Sequence, residues 1–149
     1  MELKDSVRAV IDEKAELPPS ITPDDTVYEA IARMSELAVG ALVVLENDQI
    51  VGIISERDYA RKIILKGRTS RDARVREIMT VDVVTAATTD TVDHCMKLLS
   101  KHHIRHLPIV EDDKIVGLIN SDDLIKWIIR RQGETIEQLE HYITGGYVH

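Results

Sequence analysis

The chain contains little cysteine and no long apolar segment. Cys95 is the only cysteine among 149 residues, which rules out a disulfide within one chain and favours a reducing compartment. No apolar run approaches the roughly 20 residues that cross a bilayer. Residues 1–5 also lack the hydrophobic region of a secretory signal. These absences predict a cytoplasmic protein with no membrane segment.

The sequence also lacks the excess of basic charge that general nucleic-acid binding requires. Its formal net charge is −7, whereas nucleic-acid-binding domains carry a basic footprint. Positive charge is nevertheless concentrated between residues 57 and 76. This basic stretch is either a solvated helix and linker or a local anion site, and the sequence leaves both interpretations open. Its members are Arg57, Arg61, Lys62, Lys66, Arg68, Arg71, Arg74 and Arg76.

The motifs of the common catalytic sites are missing. The chain has no P-loop, no Gly-x-Gly-x-x-Gly, no Gly-x-Ser-x-Gly and no His-Glu-x-x-His. The adjacent pair His102 and His103 points two ways on a helix and has no second ligand cluster, so no metal site is predicted. Cys95 lies beside Val92 and Leu99 on the apolar side of a predicted helix, which favours a buried thiol over a nucleophile. We therefore expect a protein that is not an enzyme and has no catalytic cofactor.

An internal repeat organises the chain. Residues 20–64 align without a gap with residues 85–129. The most similar stretches are Ile50–Asp58 and Ile115–Asp123, which share Ile-Val-Gly, a second aliphatic pair and a final aspartate. One repeat alone is close to the size at which a hydrophobic core becomes marginal, so we expect the two copies to share a core.

The apolar pattern of each copy predicts the order β-α-β-β-α, an α/β (α+β) fold. Copy one has strands at 20–22, 41–45 and 50–54 and helices at 27–37, stopped by Gly40, and 55–64. Copy two has strands at 83–85, 106–110 and 115–119 and helices at 91–102 and 121–130. A further helix is expected at 135–143, after Gly133. The predicted organisation is an N-terminal helix (1–16), repeat one (17–66), a charged linker (67–79), repeat two (80–131) and a C-terminal helix and tail (132–149).

The repeated strand ends in Ser55-x-x-Asp58 in copy one and in Asn120-x-x-Asp123 in copy two. Either pair alone is typical of a helix cap, because Ser and Asn are preferred N-caps and the acid completes a capping box. Recurrence at equivalent positions suggests a second role. An ionised carboxylate accepts two hydroxyl donors, which suits the vicinal diol of a ribose, and helix N-termini favour phosphate.

This duplicated unit, with Gly-h-h-Ser-x-x-Asp (h, apolar), resembles a pair of CBS domains, a tandem regulatory module. Ser55–Lys62, Arg105–Val110 and Gln138–Ile143 are similar to a stand-alone bacterial subgroup. The resemblance implies a pseudo-twofold pair with two clefts for adenosine ligands, namely AMP, ADP, ATP, NAD or S-adenosylmethionine. It also implies a disc-like homodimer of two such pairs.

The resemblance assigns ligand-binding roles to specific positions. Asp58 and Asp123 would hold the ribose, with Ser55 and Asn120 beside them, and Ile54 and Ile119 would line the adenine. Because each cleft is completed by the opening strand of the other repeat, Asp58 is expected to face Thr80, Val83 and Val84, and Asp123 to face Pro19, Ser20 and Ile21. The residues expected to contact phosphate are Arg57, Arg61, Arg105 and His106.

Two departures from the family pattern make the clefts unequal. Asn120 stands in place of the usual Ser or Thr, so the Asp123 cleft is expected to bind its ligand differently or to stay empty. Copy one has Gly40 and Ala41 where copy two has Arg105 and His106. We interpret both basic residues as phosphate contacts.

The sequence therefore predicts a sensor that binds NAD or AMP/ATP, with S-adenosylmethionine less favoured, and that acts by shifting a conformational population. The main alternative is a ligand-independent scaffold that modulates an unidentified partner enzyme. That alternative predicts that loss of Asp58 and Asp123 leaves partner binding intact. A nucleic-acid binder using residues 57–76 would instead show affinity that falls steeply with salt.

Overall fold

The computed structural model describes residues 4–143, and for residues 134–143 the backbone alone. Within this range the chain forms two three-stranded sheets with the orders β1-β2-β3 and β4-β5-β6. In each sheet the first pair of strands is parallel and the second is antiparallel. The strands are β1 (Ser20–Ile21), β2 (Ala41–Glu46), β3 (Gln49–Ser55), β4 (Ala86–Ala87), β5 (His106–Glu111) and β6 (Lys114–Asn120).

Helices flank both sheets in the predicted order, and the duplicated β-α-β-β-α fold is confirmed. The helix that follows β3 begins as α-helix and continues as one π-helical segment, Ala60–Ile64. The helices are α1 (Val7–Lys14), α2 (Val27–Leu37), α3 (Glu56–Tyr59), α4 (Val75–Ile78), α5 (Val92–His102) and α6 (Ser121–Ile143). Residues 1–3 of the predicted segment 1–16 and residues 144–149 of the predicted segment 132–149 lie outside the described residues.

The two hairpins turn in the same way. Asn47 and Asp48 have φ values of 53° and 62°, and Asp112 and Asp113 have values of 51° and 64°. Asn and Asp tolerate this left-handed region better than most residues, which suits the two-residue turn that twisted antiparallel strands require. This chemistry fixes the register of both hairpins, and each carries an irregularity at the equivalent place.

The first helix of each repeat has a threonine N-cap and a left-handed C-cap. Thr26 accepts a hydrogen bond from the Glu29 amide and Thr91 accepts one from the His94 amide. Helix α2 ends at Leu37, with Ala38 at a φ of 55°. The predicted range 27–37 is confirmed, but the helix ends at the left-handed Ala38 and not at Gly40, the residue predicted to stop it.

The predicted strand at 83–85 is also wrong, because β4 lies at Ala86–Ala87. Ala86 pairs with Ile109 of β5 and is buried in the core of repeat two. The strand was predicted at 83–85 because Val83 and Val84 are β-branched, but both residues precede the strand. The repeat alignment carried the correct signal, because Ala86 is equivalent to Ile21 of β1.

The separate C-terminal helix expected after Gly133 is part of α6, which runs from Ser121 to Ile143 without interruption. A glycine inside a helix costs about 1 kcal/mol relative to alanine. That cost does not end a helix with strong helix formers on both sides.

Each repeat has its own hydrophobic core, and each core is completed by a helix from outside the repeat. Val7 and Val10 of α1 are buried with the residues of repeat two. Val75 and Ile78 of α4 are buried with those of repeat one, together with Ala73. Residues 67–79, predicted as a charged linker, therefore also supply core residues to repeat one.

No helix among the described residues is both long and apolar enough to cross a bilayer.

Candidate functional site

Asp58 lies at the start of α3 and is only 8% exposed. Its Oδ2 atom accepts hydrogen bonds from the Ser55 amide at 3.0 Å and from the Ser55 hydroxyl at 3.1 Å. The Asp58 amide in turn donates to the Ser55 hydroxyl oxygen at 3.2 Å. The capping-box interpretation is confirmed. The cap uses Oδ2 and leaves Oδ1 directed toward other partners.

Two longer contacts reach that second oxygen. The Thr80 hydroxyl donates to Asp58 Oδ1 at 3.3 Å, and the Lys62 ammonium lies 3.2 Å from the same atom. Lys62 also donates to the Ile78 carbonyl at 2.8 Å. Sequence reasoning did not assign Lys62 to the site, although its position four residues after Asp58 on one helix face was the available signal.

A cavity of about 650 Å³ opens beside this carboxylate, within the range of small-molecule sites. It brings together eight of the predicted residues, namely Ser55, Arg57, Asp58, Arg61, Thr80, Arg105, His106 and Asn120. Aliphatic side chains line it at Ala38, Val39, Ile53 and Ile104, and the lining also contains Gly40, Glu56, Lys62, Ser121 and Asp122. The cavity therefore combines a buried carboxylate, cationic groups and apolar surface.

The other predicted residues do not line this cavity. Ile54, expected against adenine, is fully buried in the core of repeat one. Ile53 lines the cavity instead, because neighbouring residues of a strand face opposite sides of the sheet. Val83 and Val84 precede β4 outside the cavity, and Thr80 is the residue of that segment that reaches Asp58.

The basic stretch 57–76 divides into two parts. Its first three cations, Arg57, Arg61 and Lys62, line the cavity. Three of the later ones contact repeat one: Arg71 lies over the Tyr28 ring, Arg74 donates to the Asp24 carbonyl and Arg76 pairs with the Asp24 carboxylate. Arg68 pairs with Glu77 of α4. The anion-site interpretation thus applies to the cations in the first turn and a half after Ser55, and the helix-and-linker interpretation applies to the rest of the stretch.

The three arginines that line the cavity differ in their hydrogen bonding. Arg57 donates to the His103 carbonyl at 3.2 Å. Arg61 and Arg105 have no side-chain hydrogen bond or ion pair with any residue that the structure describes. Both guanidinium groups are therefore available to an anion at the cavity.

His106 lies between the two repeats, where a Cβ atom at Gly40 would come within 3.3 Å of its Cε1 atom. Burial lowers the pKa of His106, and the charges of Arg105 and Lys14 lower it further against the opposing effect of Asp123. A neutral imidazole at pH 7 serves a phosphate as a hydrogen-bond donor rather than as a cation.

The second cleft has the same cap but a different surrounding. The Asn120 amide donates to Asp123 Oδ2 at 3.0 Å, and the Asp123 amide donates to Asn120 Oδ1 at 2.8 Å. Lys14 of α1 forms an ion pair with Asp123 at 2.9 Å. A cavity of only about 10 Å³ remains nearby, lined in part by Pro19 and Ile119.

Ser20 and Ile21, also expected at Asp123, lie in β1. Ile21 is buried in the core of repeat one, and neither residue lines the small cavity beside the second cleft. The two clefts thus share their capping geometry and differ in their space.

The sequence profile of the CBS domain matches residues 7–65 and 75–130, so it covers more than half of the chain in two copies. The chain belongs to the CBS-domain family. Each match begins at the helix that completes a core, at α1 for the first and at α4 for the second. The duplicated unit is therefore a CBS pair.

Two relatives cover most of the chain. A CBS domain-containing mitochondrial protein of Arabidopsis thaliana, CBSX3, is 39% identical over 131 residues, which are 85% of this chain and 64% of the plant protein. The chain thus spans less than two thirds of that relative. A solved structure of a protein with CBS domains from Burkholderia ambifaria MC40-6 is 40% identical, with a TM-score of 0.82, over 86% of this chain and 96% of that one.

A third similarity concerns a CBS pair solved with ligands. The CBS domain pair of protein MJ0100, in complex with 5′-methylthioadenosine and S-adenosyl-L-methionine, shares 25% sequence identity and a TM-score of 0.74. The match covers 87% of this chain and 99% of that one. Both of those ligands contain adenosine.

Proposed function

We propose that this CBS pair is a non-catalytic regulatory module that binds an adenine nucleotide in the Asp58 cleft. The observation that carries the proposal is the placing of a nearly buried carboxylate, Asp58, at the wall of a cavity of about 650 Å³ that also holds unpaired guanidinium groups. A ribose needs the carboxylate and a phosphate needs the cations. The adenosine ligands of the MJ0100 pair support the same ligand class.

The ribose hydroxyls would bind Asp58 Oδ1. This atom now has two contacts longer than 3.1 Å, from Thr80 and Lys62, whereas good hydrogen bonds to a carboxylate are shorter. A diol can replace or join these contacts while Oδ2 keeps the cap in place. Ligand binding therefore requires no unfolding of the start of α3.

The phosphates would lie toward Arg57, Arg61 and Arg105, with His106 as a further donor. The adenine would pack between aliphatic side chains, with Ile53 from one repeat and Ile104 from the other. These cations favour AMP, ATP or NAD over S-adenosylmethionine, which has no phosphate and carries a positive sulfonium. NAD suits the cluster because its diphosphate matches two or more guanidinium groups.

Regulation would follow from contact with both repeats. A nucleotide bound between Asp58 and the Thr80–Arg105 side favours one relative orientation of the repeats, and a partner that binds this orientation better responds to the ligand.

The module would act as a homodimer of CBS pairs. Exposed aliphatic residues follow both clefts at equivalent positions, Ile64 in repeat one and Ile129 in repeat two. Leu65 and Ile125 extend these exposed surfaces. Apolar groups of this kind on helices are suited to association with a second copy.

Calorimetric titration of ligand-stripped protein with AMP, ATP, NAD and S-adenosylmethionine tests the proposal. We expect saturable binding of at least one phosphate-bearing ligand and weaker binding of S-adenosylmethionine. Absence of heat with all four ligands, for a protein that melts cooperatively, would contradict the proposal and favour the ligand-independent scaffold.

A further inference from the structure

Helices α1 and α4 occupy equivalent places in the two CBS repeats. Ser6, the N-cap of α1, forms an antiparallel bridge with Thr91. Arg74, the N-cap of α4, forms the same bridge with Thr26, the residue equivalent to Thr91. The comparison of α1 with α4 is therefore a comparison of the same structural position at two clefts.

The two helices differ in length. Helix α4 has 4 residues and ends at Ile78, after which Thr80 exchanges two backbone hydrogen bonds with Ile53 at the edge of β3. Helix α1 has 8 residues and continues to Lys14. Its additional turn brings Lys14 to the edge of β6. At the equivalent edge of β3, the first cleft has the extended backbone of Thr80.

Lys14 binds the groups that define the second cleft. Its ammonium donates to Asp123 Oδ2 at 2.9 Å and to the Leu118 carbonyl at 3.0 Å. Leu118 is equivalent to Ile53, so the lysine takes the acceptor that the Thr80 amide takes in the first cleft. Beside it about 10 Å³ of space remains, roughly what a single water requires.

Ile11 does not explain the closure. It packs over Gly117, where a Cβ atom would lie 3.1 Å from its side chain. Met79 packs over the equivalent Gly52 even more closely, at 2.7 Å, and the first cleft is open. Asp58 also has a lysine partner, but Lys62 lies four residues after it and lines the open cavity. Lys14 is thus a contact at Asp123 that α4 does not supply at Asp58.

We propose that Lys14 closes the Asp123 cleft from within the chain, so that each chain binds one adenine nucleotide, in the Asp58 cleft, and removal of the lysine side chain opens a second site. The inference rests on the proposed function, from which it takes the ligand class. The second site will bind more weakly, because the position equivalent to the cation Arg57 is Asp122, so that site lacks this phosphate contact.

AMP titration by calorimetry, on the full chain, tests this occupancy. We expect wild-type protein to bind one AMP per chain and Lys14→Ala to bind two, with the second, weaker event lost in Lys14→Ala/Asp123→Ala. Arg8→Ala is the matched control. It removes another α1 ion pair to repeat two, with Glu111 at 2.6 Å, but does not touch the cleft, so its stoichiometry stays at one.

Two results would overturn the inference and leave the proposed function intact. One is a wild-type chain that binds two AMP molecules. The other is a Lys14→Ala chain that melts cooperatively and binds at most one AMP molecule. If that single AMP binds more weakly than in wild type, Lys14 contacts the phosphate and does not close the second cleft. The equally short Lys14→Ser repeats the test. Absence of AMP binding in wild type and all variants would overturn both the inference and AMP as the ligand.

Discussion

The Thr80 hydroxyl donates a hydrogen bond to Asp58 Oδ1 at 3.3 Å. Asp58 belongs to the first CBS repeat, whereas Thr80 opens the segment that leads into the second. The backbone of Thr80 pairs at the same time with Ile53, with donor–acceptor distances of 3.0 and 2.9 Å. One residue therefore joins the carboxylate of the candidate site to the edge of its sheet and to the other repeat.

Gly52 is the first test of this junction. A Cβ atom there would lie 2.9 Å from the Thr80 carbonyl oxygen and 2.7 Å from Met79 Sδ, so Gly52→Ala must push the segment away from β3. We expect overpacking to destabilise the protein by about 1–3 kcal/mol and to weaken nucleotide binding. Denaturant unfolding and AMP titration measure the two effects.

Gly133→Ala is the matched control for that substitution. Gly133 lies inside α6 with nothing within 4 Å of an added Cβ atom. Alanine there should stabilise the helix by about 0.5–1 kcal/mol and leave binding unchanged. Equal stability of Gly52→Ala and wild type would contradict the close approach of Thr80 to β3.

Cys95 should be unreactive in the folded protein. Its thiol is fully buried on α5, and burial, with a smaller effect of Asp90, raises its pKa to about 11. Because the thiolate is the nucleophile, labelling with a disulfide reagent at pH 8 should be at least roughly a hundredfold slower than in denaturant. Rapid stoichiometric labelling of native protein would show that α5 does not bury the thiol.

Stability should fall as the pH drops below the ordinary pKa of histidine. Burial lowers the folded-state pKa of His106, so the unfolded chain binds more protons between that pKa and the ordinary value of 6.5. Stability is therefore greatest above pH 6.5 and falls as the pH drops through this window. We expect His106→Gln to flatten the dependence of the unfolding free energy on pH between about 7 and 5.

The exposed His94 provides the control for this pH dependence. His94→Gln should keep the wild-type profile. A His106→Gln protein that loses stability with falling pH as steeply as wild type would show that other groups cause the loss.

The proposed homodimer is tested by substituting the exposed aliphatic residues after the two clefts. Ile64→Glu/Ile129→Glu introduces charges that an apolar interface cannot solvate, so the variant should be monomeric. Light scattering measures its molecular mass, and its melting temperature should stay close to that of the wild-type monomer. Leu37→Glu changes another exposed aliphatic residue, at the end of α2, and should remain dimeric. A double variant that stays dimeric would place the interface elsewhere.

The sequence predicted most of the fold because the same hydrophobic pattern occurs twice. The strand pairs 41–45 with 50–54 and 106–110 with 115–119, and the capping aspartates Asp58 and Asp123, were predictable because each depends on residues a few positions apart. Helix α4 was missed because a four-residue helix has almost no periodicity. Its burial depends on contact with a repeat that precedes it in the chain.

The candidate site was predicted less completely. Ser55 and Asp58 meet as the repeated capping motif indicates, and Thr80 meets Asp58 as the resemblance to CBS pairs implies. Lys14 was not anticipated at Asp123, because the two are 109 positions apart in the chain and only the length of α1 brings them together. The sequence predicted Ile54 at the cleft in place of Ile53, because a shift of one residue along a strand reverses which side chain faces the cleft.

The central claim is that Asp58 holds the ribose of an adenine nucleotide, and AMP titration of Asp58→Ala beside Glu77→Ala tests it most directly. Both variants remove an acid that accepts a hydrogen bond from the N-cap amide three residues before it, so each should lose about 1 kcal/mol of stability, but only Asp58 faces the cavity. Each ribose hydroxyl bond to a charged acceptor contributes about 1.5–3 kcal/mol. The account predicts that Asp58→Ala weakens AMP binding at least tenfold and that Glu77→Ala binds like wild type. Wild-type affinity in a folded Asp58→Ala protein would contradict it.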